Sequence, residues 1–320
     1  MTDPIRAFLE SQGFLVLDGG LATELEALGC DLNDPLWSAR ALLGDREAVR
    51  TAHRRFLEAG ADCIATATYQ ATFEGFAARG LDARETARLL RAAVEVAVSA
   101  RDDFLSDLSM PGGRLRPLVA ASVGPYGAFL ADGSEYRGDY GLSAAELYDF
   151  HAPRWEVLAE TEADLLACET TPSLEETQAY CRLAAVAHRP TWISFQCRDG
   201  AHLADGTPLE TAVSLCDEEP HVVAVGVNCT DPGFTASLIG AARRATPKPI
   251  LVYPNSGETW DPGAKRWTGS ASPVDWARRA AEWRSAGADG IGGCCRVGPA
   301  EITAIREGTV SSQPAVTPER

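Results

Sequence analysis

Histidine and methionine are scarce in this chain, with five and two copies among 320 residues. His53 and His151 fall in helical stretches and His202 in a loop, so no Ser-His-Asp or Cys-His nucleophile is supported. No apolar run approaches the ~18 residues needed to span a bilayer. The first residues carry no basic stretch followed by an apolar one, so no signal peptide is read there. A Walker A loop is missing, and the glycines after the first strand lack the spacing of a dinucleotide fingerprint. Basic residues are outnumbered 29 to 45, for a net charge of −16. Such a surface repels phosphate backbones and argues against nucleic acid as a partner. A cytoplasmic protein is expected, with its nine cysteines held as thiols.

What is present is a repeat. A helix-like stretch ends in small residues, an acidic residue follows, and an apolar strand begins. Gly60-Ala61-Asp62, Glu162-Ala163-Asp164 and Gly287-Ala288-Asp289 each lead into such a strand. Glycine after a helix closes it in the left-handed conformation. Apolar strands without alternation point to burial on both faces, as in a parallel sheet. Eight are predicted, at 14–18, 63–66, 118–122, 165–168, 191–195, 222–227, 250–253 and 289–292. Helices are clearest at 45–59 and 83–104. Eight strand–helix units predict a single-domain α/β (β/α)8 TIM barrel over 1–310, with an open doubly wound sheet as the alternative. Residues 311–320, rich in Ser and Pro, read as a loose tail, and Pro111-Gly112-Gly113 as a loop.

In such a barrel the active site lies at the C-terminal strand ends. Polar and sulfur residues concentrate there. Adjacent Cys294 and Cys295 follow Gly292-Gly293, and Cys229 ends the sixth strand. Neighbouring strand residues point to opposite faces. Two adjacent thiols therefore reach one ion only if the chain bends, which the glycines permit. Three thiolates suit zinc and leave a fourth position open. Small buried hydrophobes, or a vicinal Cys294–Cys295 redox disulfide, are competing readings; the second is strained. Cys30, Cys63, Cys168, Cys181, Cys197 and Cys216 read as core packing.

Asp18 before Gly19-Gly20, and Glu169 ending the fourth strand, are carboxylates that could receive an ammonium group. A capped turn for Asp18 and a structural salt bridge for Glu169 compete. Backbone N–H groups at the glycine turn could bind a carboxylate. Tyr69, Tyr126, Tyr136, Tyr140, Trp260 and Trp267 fall in loops on the same face, where rings either stabilise a cation or pack under loops.

Together these motifs resemble the homocysteine S-methyltransferases, over about 14–308. Gly226-Val227-Asn228-Cys229 with Gly292-Gly293-Cys294-Cys295 is the most specific element. The resemblance implies that Cys229, Cys294 and Cys295 hold one zinc ion per chain. It also implies that Asp18 and Glu169 hold the homocysteine amino group, that the Gly19-Gly20 turn takes its carboxylate, and that Asn228 lines the site. Asp34-Pro35-Leu36-Trp37-Ser38-Ala39, the stretches 122–127 and 132–136, and Tyr253-Pro254-Asn255-Ser256-Gly257-Glu258 are similar to the branch using S-methylmethionine or S-adenosylmethionine. Tyr69, Tyr126, Tyr253 and Asn255 are the donor-site candidates. No catalytic residue is expected beyond the metal site, because the donor leaves as a neutral thioether. No oligomerising extension is found, so a monomer is compatible. Alternatives are a non-catalytic zinc- or thiol-binding barrel, action on another thiol or selenol, metal-assisted hydrolysis, and a redox protein.

Overall fold

The computed structural model describes residues 3–32, 37–107, 114–261, 266–268 and 274–311. Eight parallel strands close a barrel: β1 (Leu15–Val16), β2 (Cys63–Ala65), β3 (Leu118–Val123), β4 (Leu165–Thr171), β5 (Thr191–Phe195), β6 (Val222–Asn228), β7 (Ile250–Tyr253) and β10 (Gly290–Ile291). A short antiparallel hairpin, β8 (Thr259–Asp261) with β9 (Arg266–Thr268), stands between the last two barrel strands. It holds Trp260 and Trp267, which the sequence suggested were in loops. The barrel closes where Leu17 bridges Cys63 in parallel and Asp18 N–H donates to the Cys63 carbonyl at 3.0 Å.

Every expected strand is present: β5 and β7 match to the residue, and the ends of the others differ by at most three residues. β4 runs on to Thr171 and β6 to Asn228, carrying them into the mouth. The expected helix ends are also close: Arg46–Ala59, whose N-cap Asp45 accepts from Ala48 N–H at 3.1 Å, and Ala83–Asp107. The helix Pro299–Ser311 reaches the first residue of the expected tail. Asp34-Pro35-Leu36, Pro111-Gly112-Gly113 and residues 312–320 lie outside the described residues.

Side chains alternate along each strand between two packed layers. Leu15, Leu17, Leu118, Ala120, Leu165, Ala167, Ala224 and Leu251 fill the barrel interior with Trp192 and Tyr253. Val16, Val119, Ala121, Val123, Leu166 and Val225 pack outward under the helices. This two-sided burial is why the strands show no polar face. Large rings meeting small alanines fill the interior to core density. Ile5 and Phe8, around the start of the helix Arg6–Gln12, close its lower end.

The acidic residue of the repeat has a definite task. Asp62, Asp164 and Asp289 each accept the backbone N–H of a neighbouring strand: Val16 at 3.0 Å, Val119 at 2.8 Å and Ile250 at 2.8 Å. In each case the Asp N–H also donates to the carbonyl of that same residue. Each carboxylate pairs with an arginine from a surrounding helix: Arg306 at 2.6 Å, Arg101 at 3.0 Å and Arg243 at 2.7 Å. The N-terminal rim is thereby stitched strand to strand and strand to helix.

Candidate functional site

The C-terminal mouth gathers Cys229, Cys294 and Cys295, whose sulfurs all lie within 4.8 Å of one another. Two of them are bonded: Cys229 and Cys294 form a disulfide, with Cα atoms 5.6 Å apart. Cys295 Sγ stands 3.7 Å from Cys229 Sγ. This corrects the expectation of nine free thiols, and the bonded pair is not the adjacent Cys294–Cys295 pair. β6 and β10 flank β7 in the sheet, so their ends meet at the mouth, whereas strand geometry points adjacent residues to opposite faces.

The local backbone explains the convergence. Cys229 has φ 47° and Arg296 φ 66°, in the left-handed region that L-residues seldom occupy. Such outliers concentrate where a site is held in place by its surroundings. The expected role of Gly292 and Gly293 as a bend needs revision, because neither has a positive φ. Their task is close approach. A Cβ on Gly293 would sit 2.1 Å from Val297 Cγ1, and one on Gly292 would sit 2.6 Å from Leu17 Cβ. Gly20 likewise leaves room for the Cys294 carbonyl, which a Cβ would meet at 2.6 Å. Cys294 N–H donates to Pro254 O at 2.8 Å and Ser256 N–H to Cys295 O at 3.2 Å, fixing the cysteine turn against the loop after β7.

Asn228 holds a second strand end. Its Oδ1 accepts from Thr170 N–H at 2.7 Å, and its Nδ2 donates to Thr170 Oγ1 at 2.8 Å. Thr170 also has a positive φ, 61°, which is costly for a β-branched residue. Nδ2 further lies 3.9 Å from Cys294 Sγ. Asn228 therefore connects the sulfur cluster to β4, the strand that carries Glu169.

Asp18 and Glu169 are the two carboxylates of the mouth. Burial pushes Asp18 up to about 7, although Ala65 N–H donates to its Oδ2 at 2.8 Å. Burial first, and the charge of Asp18 second, push Glu169 up to about 8. Neither has an ion-pair partner among the described residues. Gly20, not Asp18, is the N-cap of the helix Leu21–Ala27, which removes the capped-turn reading. Two acids that repel each other in a poorly solvated mouth make a receptor for a cation. The glycine turn fits less well. The Gly20 N–H is committed to Val297 O at 2.9 Å, so it is not an open donor for a substrate carboxylate.

The candidate donor residues separate. Tyr69 follows β2, and its carbonyl accepts from Gly124 N–H at 3.1 Å. Tyr126 lies in the helix Tyr126–Leu130, with its ring against Phe129, Tyr140 and Phe150. Tyr253 lies in the barrel interior, its hydroxyl donating to Ser194 Oγ at 2.7 Å and accepting from Trp192 Nε1 at 3.1 Å. It is floor, not donor contact. Asn255 folds its own loop, accepting from Gly257 N–H at 2.9 Å.

Two features escaped the sequence. Glu135, in the 3-10 turn Ser134–Tyr136, has a buried Oε2 with no hydrogen-bond partner, and burial pushes the carboxyl up to about 7. Its charge reaches Cys295, whose thiol is pushed up to about 12 by burial first and by Glu135 second. The other is a buried network beneath the Tyr69 and Tyr126 loops. His151 Nε2 meets Glu176 Oε1 at 2.8 Å, and that oxygen also accepts from Tyr126 N–H at 2.6 Å. Arg154 donates to the carbonyls of Gly124 and Tyr69. Of the six cysteines assigned to packing, five are buried; Cys30 is partly exposed, with its thiol 3.8 Å from Asp45.

The donor set fits a soft ion. Zinc–sulfur bonds of about 2.3 Å in a tetrahedron set ligand sulfurs roughly 3.8 Å apart. The 3.7 Å between Cys229 and Cys295 matches that spacing. Ligation by all three requires the Cys229–Cys294 bond to be reduced.

A parallel barrel with a three-sulfur cluster at its catalytic end, flanked by two mutually repelling acids, is the build of a thiolate-site barrel enzyme. The family model for homocysteine S-methyltransferase matches residues 15–309. The chain is 48% identical over 304 residues to homocysteine S-methyltransferase YbgG of Bacillus subtilis, covering 95% of this chain and 96% of the relative. Among solved structures, the homocysteine methyltransferase MmuM of Escherichia coli superimposes in its metallated form with a TM-score of 0.85. The two are 45% identical, over 95% of this chain and 99% of that one. Its oxidised form gives a TM-score of 0.86 at the same identity and coverage. The chain therefore belongs to the homocysteine S-methyltransferase family, and it is an enzyme of homocysteine methylation.

Proposed function

We propose that the enzyme moves a methyl group from a sulfonium donor, S-methylmethionine or S-adenosylmethionine, to the thiol of L-homocysteine at one zinc ion per chain. Cys229, Cys294 and Cys295 hold the ion once reduced. The observation carrying this reading is the convergence of their three sulfurs within 4.8 Å, from two strand ends. When bound, zinc lowers the pKa of the acceptor thiol and holds it as a nucleophile near neutral pH.

The chain's own residues place the two substrates. Asp18 and Glu169 bind the homocysteine ammonium, which restores both carboxylates to their charged forms. Asn228 keeps Thr170, and hence the end of β4, in register with the cysteines. The acceptor sulfur attacks the donor methyl carbon. A new S–C bond forms as the donor's C–S bond breaks, and its electron pair stays on the leaving sulfur, which departs as a neutral thioether. No proton is delivered, so the absence of a histidine from the mouth costs nothing. Alignment of the two sulfurs supplies several kcal/mol of barrier lowering.

Glu135 biases the donor side toward a cation. Its charge reaches Tyr69, Tyr136 and Tyr140, whose phenols are pushed up by burial first. The positive charge disappears in the transition state, so tight stacking on the sulfonium would slow the reaction. Glu135 therefore acts on donor capture.

The test is methionine formation from homocysteine by reduced, zinc-loaded protein. S-methylmethionine, S-adenosylmethionine and betaine are compared, each with and without a strong chelator. Methionine from a sulfonium donor, lost on chelation, is expected. Turnover that survives metal removal, or that needs betaine, would overturn the reading.

A further inference from the structure

At the opposite end of the barrel, two imidazoles face each other across the bases of β5 and β6. His188 ends the helix Leu174–Ala187, and His221 immediately precedes β6. His188 Nδ1 and His221 Nε2 are 3.1 Å apart, with ring planes inclined at 58°. Behind them, Glu219 Oε1 lies 2.7 Å from His221 Nδ1 and also accepts the His221 backbone N–H at 2.9 Å. A carboxylate in that position fixes the proton on Nδ1 and turns the Nε2 lone pair outward, toward His188. This is the arrangement of a carboxylate-oriented metal ligand.

We propose that His188 and His221 form a second metal site, for a late first-row divalent cation such as nickel, copper or zinc. Metal–nitrogen bonds of about 2.0–2.1 Å place two neighbouring ligand nitrogens roughly 2.9–3.4 Å apart. The observed 3.1 Å needs little movement of either ring. The ion takes the position of the single proton now shared between the rings. That proton moves from His188 Nδ1 to its Nε2, a tautomer change with no net release. Imidazole suits these metals, and water fills the remaining positions because His188 is exposed.

His188 also holds a positive φ, 52°, at a helix end where glycine is the usual residue. That conformation turns its ring back along the rim. Nearby cations oppose the site: Lys248 Nζ lies 2.7 Å from Glu219 O, and Arg189 follows His188 in the chain. Lys248 is engaged with the Cys216 and Glu219 carbonyls, and Arg189 donates to Ala163 O, so neither points its charge at the imidazole nitrogens. Bound, the ion would pin the end of one helix to the start of β6, away from the cysteine centre.

The test uses tag-free, zinc-loaded, full-length protein titrated with nickel. Binding is followed by calorimetry, and paramagnetic broadening of histidine resonances locates the ion. One further equivalent is expected, with His188 and His221 broadened and His202 spared. His188→Asn tolerates the left-handed backbone and should abolish that equivalent while leaving zinc content unchanged. Glu219→Gln should weaken it by about 10- to 100-fold. No further equivalent, or one retained at full affinity in His188→Asn, shows that the two rings are only a hydrogen-bonded pair.

Discussion

Asn228 and Thr170 exchange two hydrogen bonds across the mouth of the barrel, 2.7 Å from backbone N–H to Oδ1 and 2.8 Å from Nδ2 to Oγ1. Both bonds are buried, and together they offset a left-handed threonine that costs about 1–3 kcal/mol. Asn228→Ala removes both partners. The expected result is a loss of about 2–4 kcal/mol from two unsatisfied buried groups. Activity should fall further than stability predicts, because Glu169 shifts with Thr170. Equal losses for Asn228→Ala and for Thr170→Gly, which relieves the strain, would show that the clamp serves folding alone.

The paired acids predict a pH signature in the substrate-free enzyme. Asp18 and Glu169 titrate at about 7 and about 8 in the fold, against 3.8 and 4.5 ordinarily. Between those limits the native state holds protons that the unfolded chain has released. Their contribution to stability therefore falls as pH rises from about 4 to about 8. The slope approaches 1.4 kcal/mol per pH unit for each group. Denaturant midpoints across this range should show the decline in the wild type, shallower in Glu169→Gln and in the homocysteine complex. Parallel slopes in all three would place the acids elsewhere than in the ammonium site.

Removing the acidic charge on the donor side should separate the two substrates kinetically. Glu135→Gln is expected to raise the donor KM by about 10-fold or more with kcat maintained or raised, because the interaction weakens as the sulfonium loses its charge, and with the homocysteine KM nearly unchanged. A fall in kcat at constant donor KM would instead mean that Glu135 acts in the transition state.

The aspartates of the N-terminal rim should differ in weight according to burial. Asp62 is fully buried with Arg306 and Arg114, while Asp289 and Arg243 are each about one-third exposed. Asp62→Asn is predicted to cost about 3–5 kcal/mol by leaving its mostly buried partners, Arg306 and Arg114, unmatched. Asp289→Asn should cost about 1 kcal/mol, because solvent screens its pair. Chemical denaturation of the two variants decides this, and equal costs would rule out burial as the deciding factor.

Much of this was readable from the chain. Three strands announced themselves through a small residue and an aspartate at the junction, all eight through two-sided apolarity, and adjacent Cys294 and Cys295 advertised the mouth. What the junctions hid was that each aspartate carboxylate accepts a backbone N–H from the barrel strand before it, since sequence spacing does not show which strand lies alongside. The Cys229–Cys294 bond was hidden for the same reason, the partners being separated by 65 positions in the chain. Glu135 had no signal of its own: one acid in a loop becomes unusual only once burial removes its partners. His151 and Glu176 lie on different helices, and only packing makes them one network. Tyr253 was misplaced because a strand's last residue points either into the barrel or out of its mouth, and its phenol found Ser194 and Trp192 inside.

The seam between β1 and β10 has a consequence for the newborn chain. Asp18 is made long before Cys294 and Cys295, yet Gly293 N–H reaches Asp18 O at 3.0 Å and Gly20 N–H reaches Val297 O at 2.9 Å. Synthesis must therefore pass Cys295 before the three-sulfur cluster can be completed beside Asp18. A chain stalled or cleaved before Gly292 keeps Cys229 but has no competent centre, so it can neither sequester metal with three thiolates nor turn over substrate. Metal uptake by this protein thus reports that the ring has been joined end to end.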